Sequence, residues 1–149
     1  MLIRRAAADE ALIAADLYLV SRAGAGALIP PPVHDADDTR RWMRDEFFGR
    51  AEVWFAAGED DTPLALLALE GADWLEQLYV LPSAQGRGIG RALLEHAKLQ
   101  RPGGLQLWAF ASNTPARRFY ESHGFTIAEE TDGRGNEERA PDVRYRWMP

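Results

Sequence analysis

The stretch Leu75 to Leu94, LEQLYVLPSAQGRGIGRALL, decides how the chain is read. Leu75 to Leu81 suits a strand with apolar residues on both faces, and Pro82-Ser83 breaks it. Ile89, Ala92, Leu93, His96 and Ala97 then recur at helical spacing, so three glycines stand where a helix begins. At a helix N-terminus the first amides have no partner within the helix, and together with the macrodipole they favour a bound anion. Gly86, Gly88 and Gly90 carry no side chain that would keep an anion from those donors.

The motif narrows the anion. A nucleotide P-loop needs Gly-Lys-Ser/Thr, whereas Gly90 is followed by Arg91-Ala92. The dinucleotide pattern G-x-G-x-x-G fails because Arg91 stands three residues after Gly88. What remains is Gln85-x-x-Gly88-x-Gly90 after a strand ending in Val80-Leu81-Pro82. This resembles the acyl-coenzyme A loop of the GCN5-related N-acetyltransferase (GNAT) family. A second segment, Asn113-x-x-Ala116-x-x-Phe119-Tyr120-Glu121-x-x-Gly124-Phe125, resembles that family's C-terminal signature at the matching distance downstream. The resemblance covers about residues 64 to 131.

Composition and charge are consistent with this reading. The 149 residues are 46% hydrophobic and 27% charged, the range of one soluble globular domain. No apolar run approaches the roughly 20 residues needed to span a bilayer. Asp9 and Glu10 interrupt the N-terminus before any signal-peptide core forms, so a cytoplasmic location and no membrane partner are expected. There is no cysteine, hence no disulfide, no thiolate ligand and no cysteine nucleophile. Three scattered histidines give no metal-ligand spacing, and no metal is expected. The net charge of −6 conceals an asymmetry. Between Gln85 and Arg118 lie Arg87, Arg91, Lys98, Arg101, Arg117 and Arg118 against Glu95 alone, while the rest of the chain carries 11 basic and 22 acidic residues. The basic third therefore suits a polyanionic small ligand, and the acidic remainder argues against nucleic acid.

In chain order, Leu2 to Ala6 reads as a strand and Asp9 as a cap for a helix through about Arg22, whose apolar face is Leu12, Ile13, Leu17, Leu19 and Val20. Residues 23 to 36, AGAGALIPPPVHDA, read as a long loop. Asp35, Asp37 and Asp38 open a second helix through about Phe48, with Met43 and Phe47 an i, i+4 pair. Glu52 to Ala57, Leu64 to Glu70 and the strand from Leu75 form a meander, followed by the glycine-loop helix, a strand Leu105 to Phe110, and a helix from Thr114 to about His123. Thr114 is read there as a cap, and Asn113 is an ordinary cap residue as well. Two strands, Phe125 to Thr131 and Val143 to Met148, close the chain around a polar loop, Asp132 to Asp142. The order β-α-α-β-β-β-α-β-α-β-β is α+β, a mixed, mostly antiparallel central sheet flanked by helices.

The resemblance implies acetyl-coenzyme A (acetyl-CoA) as donor, its pyrophosphate on Gln85, Gly86, Arg87, Gly88, Gly90 and Arg91. Its pantetheine arm is expected along backbone groups of Leu78 and Val80 with Asn113 in contact, and Tyr120 beside the sulfur. Arg117 or Arg118 is assigned to the adenosine 3′-phosphate. Chemically, a neutral phenol at Tyr120 can protonate a departing thiolate, although a core role fits its helical face equally. An acidic residue inside an apolar strand, Glu76 is the candidate base, sharing a face with Trp74, Leu78 and Val80 if the strand is regular. His34, in the proline-rich loop, is a candidate substrate contact. The expected acceptor is a primary amine of a small molecule or peptide, and a homodimer is compatible with these observations. The competing readings are a non-catalytic acyl-CoA-binding module and an acyltransferase for longer chains.

Overall fold

The computed structural model describes residues Met1–Pro149. Seven strands, β1 (Leu2–Arg5), β2 (Glu52–Ala57), β3 (Pro63–Glu70), β4 (Trp74–Val80), β5 (Leu105–Phe110), β6 (Thr126–Thr131) and β7 (Asp142–Trp147), form one sheet in the order β1-β2-β3-β4-β5-β7-β6. Every neighbouring pair is antiparallel except β4 and β5. The helices are α1 (Ala11–Ala25), α2 (Ala36–Trp42), continued by a π-helical segment Met43–Phe47 and a last turn α3 (Phe48–Arg50), then α4 (Ile89–Gln100) and α5 (Thr114–Ser122). The expected α+β order and the β2-β3-β4 meander are both present.

β3 shows why the sheet is central. Leu67 and Leu69 point into a core shared with Leu93, Leu94 and Tyr145, while Leu66 and Ala68 point into a second core with Ala14, Leu17, Met43 and Phe47. A strand buried on both faces needs such an uninterrupted apolar run. Thus α4 and α5 cover one face of the sheet, and α1 with the α2–α3 stretch covers the other.

Two expectations about α1 are corrected. The helix runs on through Gly24 to Ala25 and only then turns at Gly26, where φ is +57°. Gly24 does not break the helix because its missing side chain is used for packing: a β-carbon there would lie 2.6 Å from Pro82 Cγ. The buried face is also not the large-residue one. Leu12, Ile13 and Val20 are 44%, 47% and 52% exposed, whereas Ala11, Ala14, Ala15, Leu17 and Ser21 are buried. Small side chains let the helix approach the sheet closely, and that proximity outweighs the larger transfer energy of leucine or isoleucine. The helical stretch Ala8–Leu28 has 21 residues and a mean hydropathy of 1.3, long and apolar enough by those measures to cross a bilayer. The glycines at 24 and 26 hide this length in the sequence; one side of the stretch packs against the sheet as a core helix.

In the second helical stretch Asp35 caps as expected, its carboxylate accepting from Asp38 N at 2.8 Å. Met43 and Phe47 are both buried, at the two ends of the π-helical segment.

Candidate active site

β4 and β5 start side by side and then part. Their only paired residues are Trp74 and Gln106, joined where Gln106 N donates to Asp73 O at 2.7 Å. From there β4 stays with β3 up to Val80, and β5 stays with β7 up to Phe110. The gap opens into a cavity of about 1020 Å³ that draws walls from β4, β5, α1 and α5. Leu81 N donates to Leu64 O at 2.9 Å. By antiparallel alternation this leaves the amides and carbonyls of Leu78 and Val80 facing away from β3, toward the gap. The Val80 carbonyl accepts from Gln85 Nε2 at 3.2 Å.

The glycine turn closes one end. Gly86 and Gly88 both have φ near +80°, the left-handed region that glycine enters without strain. Gly88 is the N-cap of α4, and the helical ladder begins with Ala92 N donating to Gly88 O at 3.0 Å. The amides of Ile89, Gly90 and Arg91 therefore have no protein acceptor, and no side chain caps the helix. A β-carbon on Gly86 or Gly88 would meet only open space, so nothing in the fold packs over these two positions of the turn.

The six basic residues of this third divide cleanly. Lys98 donates to His123 O, Arg101 to Gly71 O and Glu52, and Arg117 to the Tyr145 hydroxyl at 2.9 Å and to Ala111 O. Arg117 is thus committed within the fold, contrary to its assignment to a phosphate. Arg87, Arg91 and Arg118 are exposed and pair with no acid, Arg87 touching only Ser83 O.

α5 brings two more residues to the gap. Asn113, not Thr114, caps it, its Oδ1 accepting from Ala116 N at 3.4 Å, which leaves the Asn113 amide NH₂ free at the cavity wall. Tyr120 is buried, its ring edge-on to Phe119 and Phe125, and no protein group hydrogen-bonds its hydroxyl. Burial and the nearby Tyr79 push its phenol well above the ordinary value of 10, so it stays protonated.

Glu76 lies elsewhere than a regular strand would put it. Leu69 pairs with Leu75 but Ala68 pairs with Gln77, so Glu76 is the extra residue of a bulge. The alternation with Leu78 and Val80 breaks there, and the exposed carboxyl comes under the influence of Glu70 and Arg50. Partial desolvation and the Glu70 carboxylate raise its pKa, against a lowering by Arg50, which itself pairs with Glu70 at 3.1 Å.

The cavity brings together Tyr120, Glu76, Leu78, Val80, Gln85, Gly90 and Asn113. His34 is not among them. It pairs with Glu137, linking the loop after α1 to the loop between β6 and β7, and lines a separate cavity of about 510 Å³ beside Tyr18 and Trp42. The sequence reading also missed Ser21, Arg22 and Gln77, which line the main cavity. Ser21 and Arg22 fall at the end of α1, where the only sequence signal was the small-residue face that brings the helix against β4.

Comparison with known proteins agrees with this geometry. A family model described as "Acetyltransferase (GNAT) domain" matches residues 49–127. The chain is 32% identical over 87 residues to "Peptidyl-lysine N-acetyltransferase YjaB" of Salmonella typhimurium, a match covering 58% of this chain and 59% of that protein. Against the peptidyl-lysine N-acetyltransferases the matches span 57% to 59% of the relatives' own lengths, under two thirds. Among solved structures, apo YjaB from Escherichia coli superposes with a TM-score of 0.79 at 23% identity, covering 98% of this chain and 96% of that one. The PaiA N-acetyltransferase of Thermoplasma acidophilum, solved with coenzyme A, gives 0.75 at 18% identity, covering 99% and 98%. At these identities the structures establish a shared fold.

Proposed function

Since the chain belongs to the GNAT acetyltransferase family, we propose that it is an acetyl-CoA-dependent N-acetyltransferase, working as one domain and passing acetyl directly to a primary amine of a small molecule or peptide. The observation that carries this reading is that Gly90, whose amide is unpaired, and Tyr120, whose hydroxyl is unpartnered, line one gap in the sheet, while Arg87, Arg91 and Arg118 on the adjoining elements pair with no acid.

The residues present fit the donor. The Ile89, Gly90 and Arg91 amides, with Gly86 and Gly88 leaving the approach open, suit a pyrophosphate, and Arg87 and Arg91 add charge. Arg118 is the remaining free cation for a further phosphate. The strand edge at Leu78 and Val80 offers amides and carbonyls to an extended amide-bearing arm, and the Asn113 NH₂ faces the same gap. Bound acetyl-CoA supplies an activated thioester. Tyr120 is held neutral, which suits it to give a proton to the departing sulfur. An amine of pKa near 10.4 needs about 4 to 5 kcal/mol to lose its proton at pH 7. Glu76, its basicity raised by desolvation, is the proton acceptor in this reading. With no cysteine in the chain, a cysteinyl acyl-enzyme is ruled out, and direct transfer is the simplest route.

Calorimetry with acetyl-CoA and a chromogenic thiol assay over an amine panel test the reading. Saturable binding with thiol release that depends on amine supports it. Binding without turnover points to an acyl-CoA-binding module, turnover only with longer acyl chains to a different donor, and no binding overturns it.

A further inference from the structure

The cavity has a second polar region for which donor binding gives no use. In the whole chain five buried side-chain polar atoms lack a hydrogen-bond partner, and three of them, Ser21 Oγ, Arg22 Nη2 and Gln77 Oε1, belong to residues lining this one cavity. The other two, Trp54 Nε1 and His96 Nε2, sit together in a ring pair away from it. Leaving a buried N–H unsatisfied is costly, and most costly for a charged group. Three residues with such atoms line one cavity, so a ligand bound there, with a small turn of those side chains, completes the bonding.

Arg22 is fixed in advance of any ligand. Its Nη1 donates to the Tyr18 hydroxyl at 2.9 Å, and its guanidinium stacks 5.5 Å from the Tyr18 ring and 6.0 Å from Phe110. No carboxylate pairs with it; the Tyr79 hydroxyl also lies close enough to act on it, and Glu138 acts only from beyond ion-pair distance. Its position in the last turn of α1 accounts for a positive charge there, through the helix dipole, but not for an unpaired donor on a residue that lines a cavity. Ser21, a hydroxyl donor, lines the cavity with it, as do Gln77 and Glu76, whose side chains carry acceptors. A cation and a hydroxyl donor that share one cavity with an amide oxygen and a carboxylate match a zwitterion.

We propose that Arg22 determines acceptor specificity by taking the carboxylate of a small amino carboxylate, whose amine is the group acetylated. This rests on the acetyltransferase reading and names its acceptor class. A lysine side chain within a peptide carries no carboxylate near its amine and leaves Arg22 unsatisfied. Amino carboxylates are favoured over their carboxamides, since guanidinium binds carboxylate by charge-assisted, often bidentate, hydrogen bonds.

The test compares matched pairs, free amino acids against their primary carboxamides, together with a lysine-containing peptide, by thiol release at saturating acetyl-CoA. The wild-type protein is expected to favour the carboxylate at least about tenfold in kcat/KM, chiefly through KM. Arg22→Gln should bring that ratio close to one, and Arg22→Lys should keep an intermediate preference, while calorimetry on each variant shows acetyl-CoA still bound. Independently of any variant, short carboxylates lacking an amine should inhibit wild type competitively against the acceptor and not against acetyl-CoA. Equal use of both members of each pair, preference for the peptide, or a ratio that survives Arg22→Gln overturns the inference while leaving the acetyltransferase reading standing. Failure to bind acetyl-CoA at all removes both.

Discussion

Gly24 and Pro82 touch so closely that a β-carbon on the glycine would stand 2.6 Å from the proline Cγ. They join the last turn of α1 to the turn that follows β4, fixing one wall of the cavity, which Gly24 itself lines. Gly24→Ala is therefore expected to destabilise although alanine is the better helix former. The gain of about 0.5–1 kcal/mol in helix propensity is outweighed by an overpacking cost of about 1–3 kcal/mol. Urea denaturation of the two proteins measures the difference, and a stabilised variant would refute the packing argument.

Tyr120→Phe removes the proposed proton donor and keeps the ring packing against Phe119 and Phe125. A drop in kcat of about 100-fold with little change in acetyl-CoA affinity is expected. Single-turnover and binding measurements on the same variant separate the two. Unchanged kcat would return Tyr120 to a purely structural role.

The proposed base, Glu76, would act in its deprotonated form, and its pKa lies above the ordinary 4.5 because of desolvation and Glu70. The rate should accordingly fall on the acid side with a midpoint displaced above that value. Glu76→Gln should lower the rate and abolish this limb. A pH profile of kcat/KM that keeps its acid limb in the variant would transfer the base role to another group.

Gly88 at φ near +80° cannot take a β-carbon without strain. Gly88→Ala should weaken acetyl-CoA binding by about tenfold, since about 1–2 kcal/mol of backbone strain is relieved by moving the amides that follow it. Arg91→Ala should weaken it too and flatten its dependence on salt. Calorimetry across a salt series tests both, and affinity indifferent to either change would sever the turn from the donor.

Glu10 accepts from Arg4 through both carboxylate oxygens and from the Ala7 amide, and these bonds hold its pKa down to about 2 from 4.5. The folded state thus resists protonating a group that the unfolded chain protonates readily. Its contribution is present above pH 4.5 and is lost as pH falls toward 2. Burial holds the His96 imidazole below its ordinary 6.5, so the loss begins earlier, as pH drops through that value. Glu10→Gln should cost about 1–2 kcal/mol at neutral pH and less at pH 3, read from urea midpoints.

Much of the local geometry of the proposed donor side was legible because its signals are short-range. The glycines before Ile89, the apolar run of β3 and the Asn113 to Phe125 segment each follow from short-range geometry: a left-handed turn, a doubly buried strand, a capped helix. What escaped depends on contacts between distant segments. Nothing near Leu12 and Ile13 announces that alanines would face inward, and only the Pro82 contact explains why Gly24 stays helical. The bulge at Glu76 arises from register with β3, so strand periodicity placed its side chain wrongly. Arg117 and Arg118 are adjacent in sequence, yet only the position of Tyr145 shows that the first is committed. Arg22 went unremarked because its importance lies in a bond it does not make.

Between Trp74 and Gln106 the two halves of the sheet share one rung, and past it no backbone ladder holds them. A guest that bonds to both Val80 and the start of α5 supplies rungs the polypeptide omits, becoming a temporary strand in the architecture. Occupancy and mechanical cohesion are then coupled: saturation a hundredfold above Kd adds about 2.7 kcal/mol to the free energy of unfolding. Slowed amide exchange should appear along β5 and β7 as well as at the glycine turn, so ligation can be followed at residues that never meet the guest.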